Sequence, residues 1–342
     1  MNTPPKVSVI MPAYNAAAFV REAVDSILAQ TFRDFELIIL NDGSTDDTQA
    51  IVEGYPDERI RLINKFNSGV ASTLNLGLTE AQGEFIWRHD ADDISLPEKL
   101  ARQVAFLDNH PEFVLCATQI AFMTERGKIA WDKRQPKTNW LGDADFREVR
   151  FEDFAPFSPV THGTTLFRRS ILKVIPSYRE AFITSEDIDM WLRMMEHGKL
   201  AVLNQCLSLH RLSSASATAV HGWKNEFYRE LAKEFWKQRQ ANGSDELELN
   251  GSITEPEPPA ENKSNSPKPG RIYRSDLLNF PLSVHINARD WLGVSRIIRH
   301  AIRQGWQLPE VYRIILIQLL PGVFVKSIVK LKSWLRHPSS AP

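Results

Sequence analysis

The chain has 342 residues, enough for one large or two modest domains with cores of their own. Its 43% hydrophobic and 24% charged residues are those of a soluble globular protein, and a net charge of −1 argues against a nucleic-acid binder that works through overall charge. Cys116 and Cys206 stand far apart in apolar surroundings, so they offer neither a disulfide framework nor a metal-ligand spacing, and a reducing, cytosolic setting is expected.

Residues 7–11 are rich in β-branched side chains and predict a strand. Apolar pairs at Phe19/Val20, Ala23/Val24 and Ile27/Leu28 recur at helical spacing, predicting a helix over 16–30 with Asn15 as N-cap. The continuous apolar run 35–40 reads as a strand covered on both faces, with Thr45 or Asp46 placed to cap the helix after it. A strand at 59–63, a helix over 70–81 and a strand at 84–88 continue the rhythm. This alternation predicts an α/β fold with a doubly wound, mostly parallel sheet. Ligands bind such sheets beyond the carboxyl ends of the strands, where the polar clusters 41–47 and 88–93 fall.

The middle of the chain is less regular. Residues 113–123 and 200–212 read as strands, 168–175 and 185–198 as helix starts, and 224–240 as a helix. The stretch 244–270, rich in Pro, Ser, Glu and Asn, has linker composition. The expected organisation is a catalytic domain over 1–240, a linker over 241–271 and a basic helical region over 272–342. From Arg271 onward 11 Lys and Arg face 3 acids, a net charge of +8 that leaves −9 for the rest. No window reaches the ~18 uninterrupted apolar residues of a spanning helix. The N-terminus lacks the basic start and apolar run of a signal peptide.

Three motifs carry chemistry. In "NDGSTDD" (41–47), Asp42 and Gly43 shape a strand-to-helix turn, or Asp42 accepts hydrogen bonds from a nucleotide's N–H and O–H groups. In "RHDADDISLPEKL" (88–100), Asp90, Asp92 and Asp93 crowd a strand end. Helix capping accounts for one of them, but unpaired like charges are costly unless a cation offsets them. Mg2+ and Mn2+ take such oxygen ligands together with substrate phosphates. In "TSEDIDMWLRM" (184–194), Glu186, Asp187 and Asp189 open a helix, where the dipole favours acids and an unpaired carboxylate can serve as general base. There is no GxGxxG, GxxxxGK[ST], HExxH or GxSxG pattern.

Together with "VSVIMPAYNAAAFVREAVDSILAQTFRDFELIILNDGSTDDT", "ASTLNLGLTEAQGEFIWRHDADDISLPEKLARQVAFL" and "SEDIDMWLR", these motifs give residues 6–215 a resemblance to glycosyltransferase family 2, of the GT-A fold. The resemblance implies a nucleotide-diphosphate sugar donor, Mn2+ or Mg2+, and transfer to a hydroxyl acceptor with inversion. By position, the family's nucleotide-contacting element matches Pro12, Ala13, Tyr14 and Asn15, and its base- and ribose-binding aspartate matches Asp42. Its DxD element matches Asp90 and Asp92, the latter as metal ligand and the former for ribose or metal. Its catalytic base matches Asp187, beside Glu186. Three departures stand out. Asn41 replaces the first of two aspartates, and His210 and Ser213 occupy the tyrosine and histidine positions of the late element "HRLSSAS". Residues 245–342 lie outside the resemblance.

Lys65, Arg88 and Arg211 are candidate phosphate contacts, and His162 a candidate acceptor contact. The acceptor expected is a glycan or lipid-linked hydroxyl of the cell envelope, and no nucleic acid is involved. The basic region 272–342 reads either as a helical subdomain or as an amphipathic surface for an anionic membrane, giving a cytoplasmic protein at the inner face of the cell membrane. Two rival readings are a sugar nucleotidyltransferase and a non-catalytic sugar-nucleotide binder. Against the first, "PAYNAAAF" has no Gly-rich basic loop.

Overall fold

The computed structural model describes residues 3–130, 143–155, 158–175, 177–212, 223–256, 284–286 and 288–303. The chain divides into two compact units, one of Met1–Ala121 with Arg134–Pro259, the other of Phe122–Lys133 with Ala260–Pro342.

The first unit is α/β. In chain order its elements are β1 (Val7–Ala13), α1 (Val20–Leu28), β2 (Phe35–Asp42), α2 (Thr48–Glu53), β3 (Ile60–Lys65), α3 (Val70–Glu80), β4 (Phe85–Arg88), β5 (Ile94–Ser95), α4 (Lys99–Asn109) and β6 (Phe113–Thr124). The last three residues of β6, and the two-residue strand β7 (Ile129–Ala130) that pairs with them, fall in the second unit. Then come β8 (Phe146–Val149), β9 (Leu166–Arg168), α5 (Glu186–Met195), β10 (Lys199–Leu212), α6 (Trp223–Asn242) and α7 (Glu246–Asn250). The sheet runs β3-β2-β1-β4-β9-β6-β10-β5. The β1–β2, β2–β3 and β1–β4 pairs are parallel, whereas β4–β9, β6–β9, β10–β5 and β10–β8 are antiparallel. The doubly wound parallel character therefore resides in β3-β2-β1-β4.

Strand alternation explains the two covered faces. Val7, Val9 and Met11 point into a core shared with α1, α2 and α4, through residues such as Val24, Val52 and Leu107. Ile10, Ile38 and Leu40 face the opposite core, shared with α3, α5 and α6 through Leu74, Trp191 and Phe235. Strands buried on both faces need apolar side chains at every position, which is why 35–40 reads as a continuous run.

Three local expectations are corrected. The first helix begins at Val20, not at residue 16, and Asn15 does not cap it. The N–H groups of Ala16 and Ala17 are taken instead by Thr48 Oγ1 at 2.8 Å and Asp46 Oδ2 at 3.0 Å, so the β2 loop stands in for a local cap. Residues 168–175 form the end of β9 and a 3-10 turn over Arg169–Lys173, not an α-helix. Residues 244–256 are not linker. Asp245 is fully buried and caps α7 by accepting from Glu248 N at 3.0 Å, and Leu247 is buried too. Glu255 accepts from Tyr228 Oη at 2.6 Å and from Lys224 Nζ. Two of the acids that give the stretch its polar look are paired, Asp245 with Arg179 and Arg239 and Glu255 with Lys224. The rest of the predicted linker, 257–271, lies outside the described residues.

In the second unit, α8 (Trp291–Arg303) confirms helix within the basic region. Asp290 precedes it, accepting from Gly293 N at 3.3 Å and contacting His285 Nδ1 at 3.0 Å. Residues 304–342, and 272–283, lie outside the described residues. Among the described residues no helix is long and apolar enough to cross a membrane.

Candidate active site

The carboxyl ends of β1, β2 and β3 are woven into one surface. Asn15 adopts a left-handed φ of 48°, which Asn tolerates better than most side chains. There its amide oxygen accepts from Thr45 N at 2.8 Å, while its own N–H donates to Ser44 Oγ at 2.9 Å. Asn41, at the departure from the family pattern, bridges outward: its Nδ2 donates to Asn64 Oδ1 at 2.8 Å and its Oδ1 accepts from Ser44 N at 3.1 Å. Asp42 is buried and accepts from Ser68 N at 3.0 Å, Gly69 N at 3.2 Å and the Lys65 ammonium. Lys65 also donates to Phe66 O at 3.0 Å and Thr73 Oγ1 at 3.1 Å, so its charge is spent on shaping this loop. Pro12 lies half-buried in β1, and Tyr14 projects with 54% of its surface exposed.

At the end of β4 the three carboxylates are unequal. Asp90 is ion-paired with the buried Arg88. Burial alone would raise the Asp90 carboxyl, but the Arg88 guanidinium overrides it and holds the group down at about 2. Asp93 accepts from Arg211 N at 2.9 Å and contacts His210 Nδ1 at 2.9 Å. Burial opposes the charge on His210, yet Asp93, followed by Asp90 and Asp92, raises the imidazole to about 9. Asp92 makes no side-chain hydrogen bond or ion pair among the described residues. Burial, and then the charges of Asp90 and Asp93, push it up to about 7. It is the carboxylate of the three whose charge lacks a partner.

The turn His162–Thr164 closes over this loop. A Cβ on Gly163 would lie 2.6 Å from Asp90 Oδ2 and 3.2 Å from Asp93 Oδ2, so a side chain there would displace the Asp90 carboxylate. His162 Nε2 contacts Tyr178 Oη at 2.9 Å, and its Nδ1 lies 3.7 Å from Glu186 Oε1. Burial and the nearby Arg88 keep His162 neutral, well below the ordinary imidazole value. Glu186 and Asp187 open α5. Burial raises both, with Asp187 next in effect on Glu186, and the pair titrates near 6 to 7. Asp187 Oδ1 also accepts from Ile188 N at 2.9 Å. Asp189 is a different case: fully buried, it is held by Arg179 and by Arg193 Nε at 3.0 Å, which removes it as a base.

The site thus has two connected parts. Arg88, Asp90, Asp92, Asp93, His162, Glu186, Asp187 and His210 gather at the ends of β4 and β10 and the start of α5, while Tyr14, Asn15, Asp42 and Lys65 lie over β1–β3. The register pairing Ile10 with Arg88 sets β1 directly beside β4. Arg88 and Arg211, the other two candidate phosphate contacts, are held inside the protein. Arg211 donates to Asp92 O at 2.8 Å and Glu22 Oε2 at 2.7 Å.

Four contributors escaped the sequence reading. Lys99, fully buried on α4, donates to Gly163 O at 2.9 Å, and Gln103 one turn on donates to Thr164 O at 2.8 Å. The signal for both was two polar residues on the apolar stripe of a helix. Gly163 and Tyr178 carried no readable signal.

The matched family model is glycosyl transferase family 2, over residues 8–175. The Bacillus subtilis (strain 168) protein EpsE, named as a glycosyltransferase, is 38% identical over 204 residues, 58% of this chain and 69% of that protein. The Rickettsia prowazekii (strain Madrid E) uncharacterised glycosyltransferase RP339 is 30% identical over 240 residues, 68% of this chain and 72% of its relative. Among solved structures, S. aureus TarS 1–349 in complex with UDP-GlcNAc superposes with a TM-score of 0.53 at 19% identity, covering 89% of this chain and 93% of that one. At that identity the likeness establishes the fold.

Proposed function

The chain belongs to glycosyl transferase family 2, and from that premise we propose that it moves a sugar from a nucleotide-diphosphate donor to a hydroxyl acceptor with inversion at C1. The observation that carries this reading is the arrangement around Gly163. The turn covers the loop that carries the unpartnered Asp92, and His162 beside Gly163 lies 3.7 Å from Glu186 of the raised Glu186–Asp187 pair. TarS, of the same fold, is a UDP-GlcNAc binder, which supports a nucleotide sugar as donor here.

Asp187 takes the proton of the acceptor hydroxyl as its oxygen attacks C1. The bond from C1 to the diphosphate oxygen breaks, and the nucleoside diphosphate leaves from the opposite face. Burial, with the neighbouring charge of Asp187 acting on Glu186, keeps the pair basic near neutral pH. Arg88, by pairing with Asp90, leaves Asp92 as the uncompensated charge of its loop. Tyr14, Asn15 and Asp42 frame the nucleoside.

The acidic loop fits a hard divalent cation, because a half-buried carboxylate without a counter-charge supplies the oxygen ligand that Mn2+ or Mg2+ takes. Asp92, with Asp90, would hold the ion, which offsets charge on the departing diphosphate when bound. Among the described residues no three His, Cys, Asp or Glu side chains form a ready-made cage, in keeping with ions that retain water and phosphate ligands.

A thermal-shift and turnover screen of UDP-, GDP- and dTDP-sugars with Mn2+ tests the reading. One nucleotide class should stabilise the protein and be released as nucleoside diphosphate. Stabilisation with no release, even with glycan acceptors, would make the protein a sugar-nucleotide binder instead.

We propose further that the acceptor belongs to the cell envelope and that the basic C-terminal region rests on an anionic membrane surface. Trp291 and Leu292 are exposed at the start of α8, and Arg296 and Arg299 are exposed on the following turns. Apolar and cationic side chains together suit an anionic lipid interface. Salt-sensitive cosedimentation with anionic liposomes should vanish on deleting 271–342, and binding that survives the deletion rules the surface out.

A further inference from the structure

Phe66 follows the last residue of β3 and has 96% of its surface exposed, forgoing the burial that normally stabilises a phenyl ring. A lone surface apolar residue is unremarkable by itself. The backbone around this one, however, is built. Lys65 Nζ donates to Phe66 O, and the N–H groups of Ser68 and Gly69 donate to the buried Asp42 carboxylate. On the facing loop Gly43 adopts a φ of +73°, and a Cβ there would lie 2.8 Å from Asn67 N. The loop 65–69 is therefore clamped against the end of β2 while its one aromatic ring is held out in water.

Among the described residues of the first unit, the exposed aromatic side chains are Tyr14 and Phe66. They follow β1 and β3, the two strands flanking β2, which ends in Asp42. Strand spacing puts those two ends about 10 Å apart, the span of a flat heterocycle with a side chain on each flank. In an open doubly wound sheet this crevice lies outside the carboxyl ends of the strands, where ligands bind. Tyr14 already belongs to the nucleotide-contacting element, whereas Phe66 belongs to none.

Resting on the glycosyl-transfer reading, we infer that Phe66 is a nucleobase-stacking residue, presented by the Asp42–Lys65 clamp to cover one face of the donor's base. Stacking on a phenyl ring suits any base, since each has a π-face, so Phe66 supplies affinity and Asp42 orientation. Among the described residues Phe66 is 96% exposed, so its removal leaves the fold intact.

The test is calorimetry on the full chain, titrating UDP, GDP and dTDP with Mn2+, with inorganic pyrophosphate as the probe lacking a base. Phe66→Ala should weaken the nucleoside diphosphate that binds by about 10-fold, equivalent to about 1.4 kcal/mol. Pyrophosphate should change less than about twofold, and Phe66→Trp should restore nucleotide affinity. Nucleotide affinity unchanged in Phe66→Ala, or an equal loss for pyrophosphate, overturns the inference alone. Failure of the parent chain to bind any of the three nucleotides overturns the glycosyl-transfer reading and this inference with it.

Discussion

Asp245→Ala should destabilise the first unit through a polar network that also anchors α5. The Asp245 side chain is fully buried. Its Oδ2 meets Arg179 Nη1 at 2.6 Å and pairs with Arg239, and its Oδ1 accepts from Glu248 N at 3.0 Å to cap α7. Removing one partner of a buried ion pair costs about 3–5 kcal/mol, and losing an N-cap about 1 kcal/mol more. Both arginines keep a second carboxylate, Asp189 for Arg179 and Glu196 for Arg239, which favours the lower end, about 3 kcal/mol. For a unit of this size that corresponds to a Tm drop of about 6–12 °C, read by calorimetric melting at pH 7.

The pH dependence gives a second check. Burial would raise Asp245, but Arg179, Glu248 N and Arg239 hold it below its ordinary value of 3.8. A depressed carboxylate contributes fully above its unfolded value and loses that contribution as pH falls through the folded one. The gap between parent and variant should therefore narrow as the pH is taken below 3.8. A drop under about 2 °C at pH 7, or a gap that does not change with pH, would show that residues 244–256 are the loose connector their composition suggests.

Three further outcomes follow from the site. Asp187→Asn should lower transfer about 10²- to 10⁴-fold while calorimetry shows nucleoside diphosphate binding intact; near-normal transfer would move the base to Glu186. Because the base must be deprotonated, the parent's rate should rise with pH through the range near 6 to 7 where the Glu186–Asp187 pair loses its proton. A profile flat from pH 5 to about 8 would contradict that role. Gly163→Ala drives a methyl to 2.6 Å from Asp90 Oδ2, and should reduce turnover at least about 10-fold with only a small change in Tm. Undiminished turnover would mean that the turn and the acidic loop are not held in register.

The frame of the fold was legible because its strands are either continuously apolar or followed by helices of clean 3.6 periodicity. Residues 35–40 and 70–81 come out within a few positions of β2 and α3. Local capping rules misplaced Asn15, since the donors it was expected to serve are satisfied by Asp46 and Thr48 across a tertiary contact. The 244–256 stretch was misread for a related reason: composition reports polarity, not whether each charge has a buried partner. At the site, Asp92 and Asp187 could be located by motif, but the inequality of the three loop aspartates could not. It is set by Arg88, His210 and Arg211, which arrive from β4 and β10. Lys99 was passed over for a like reason, as a lysine on a helix reads as solvated unless its place on the apolar stripe is weighed.

The central claim is that this site breaks the sugar–diphosphate bond with a cation held at Asp92. The most direct measurement is release of nucleoside diphosphate from the sugar nucleotide that the protein binds, with Mn2+, in the parent chain and in Asp92→Ala. The account predicts release by the parent, its loss with EDTA, and its loss in the variant despite an unchanged melting profile. Release by Asp92→Ala at the parent rate, with EDTA present, would contradict it.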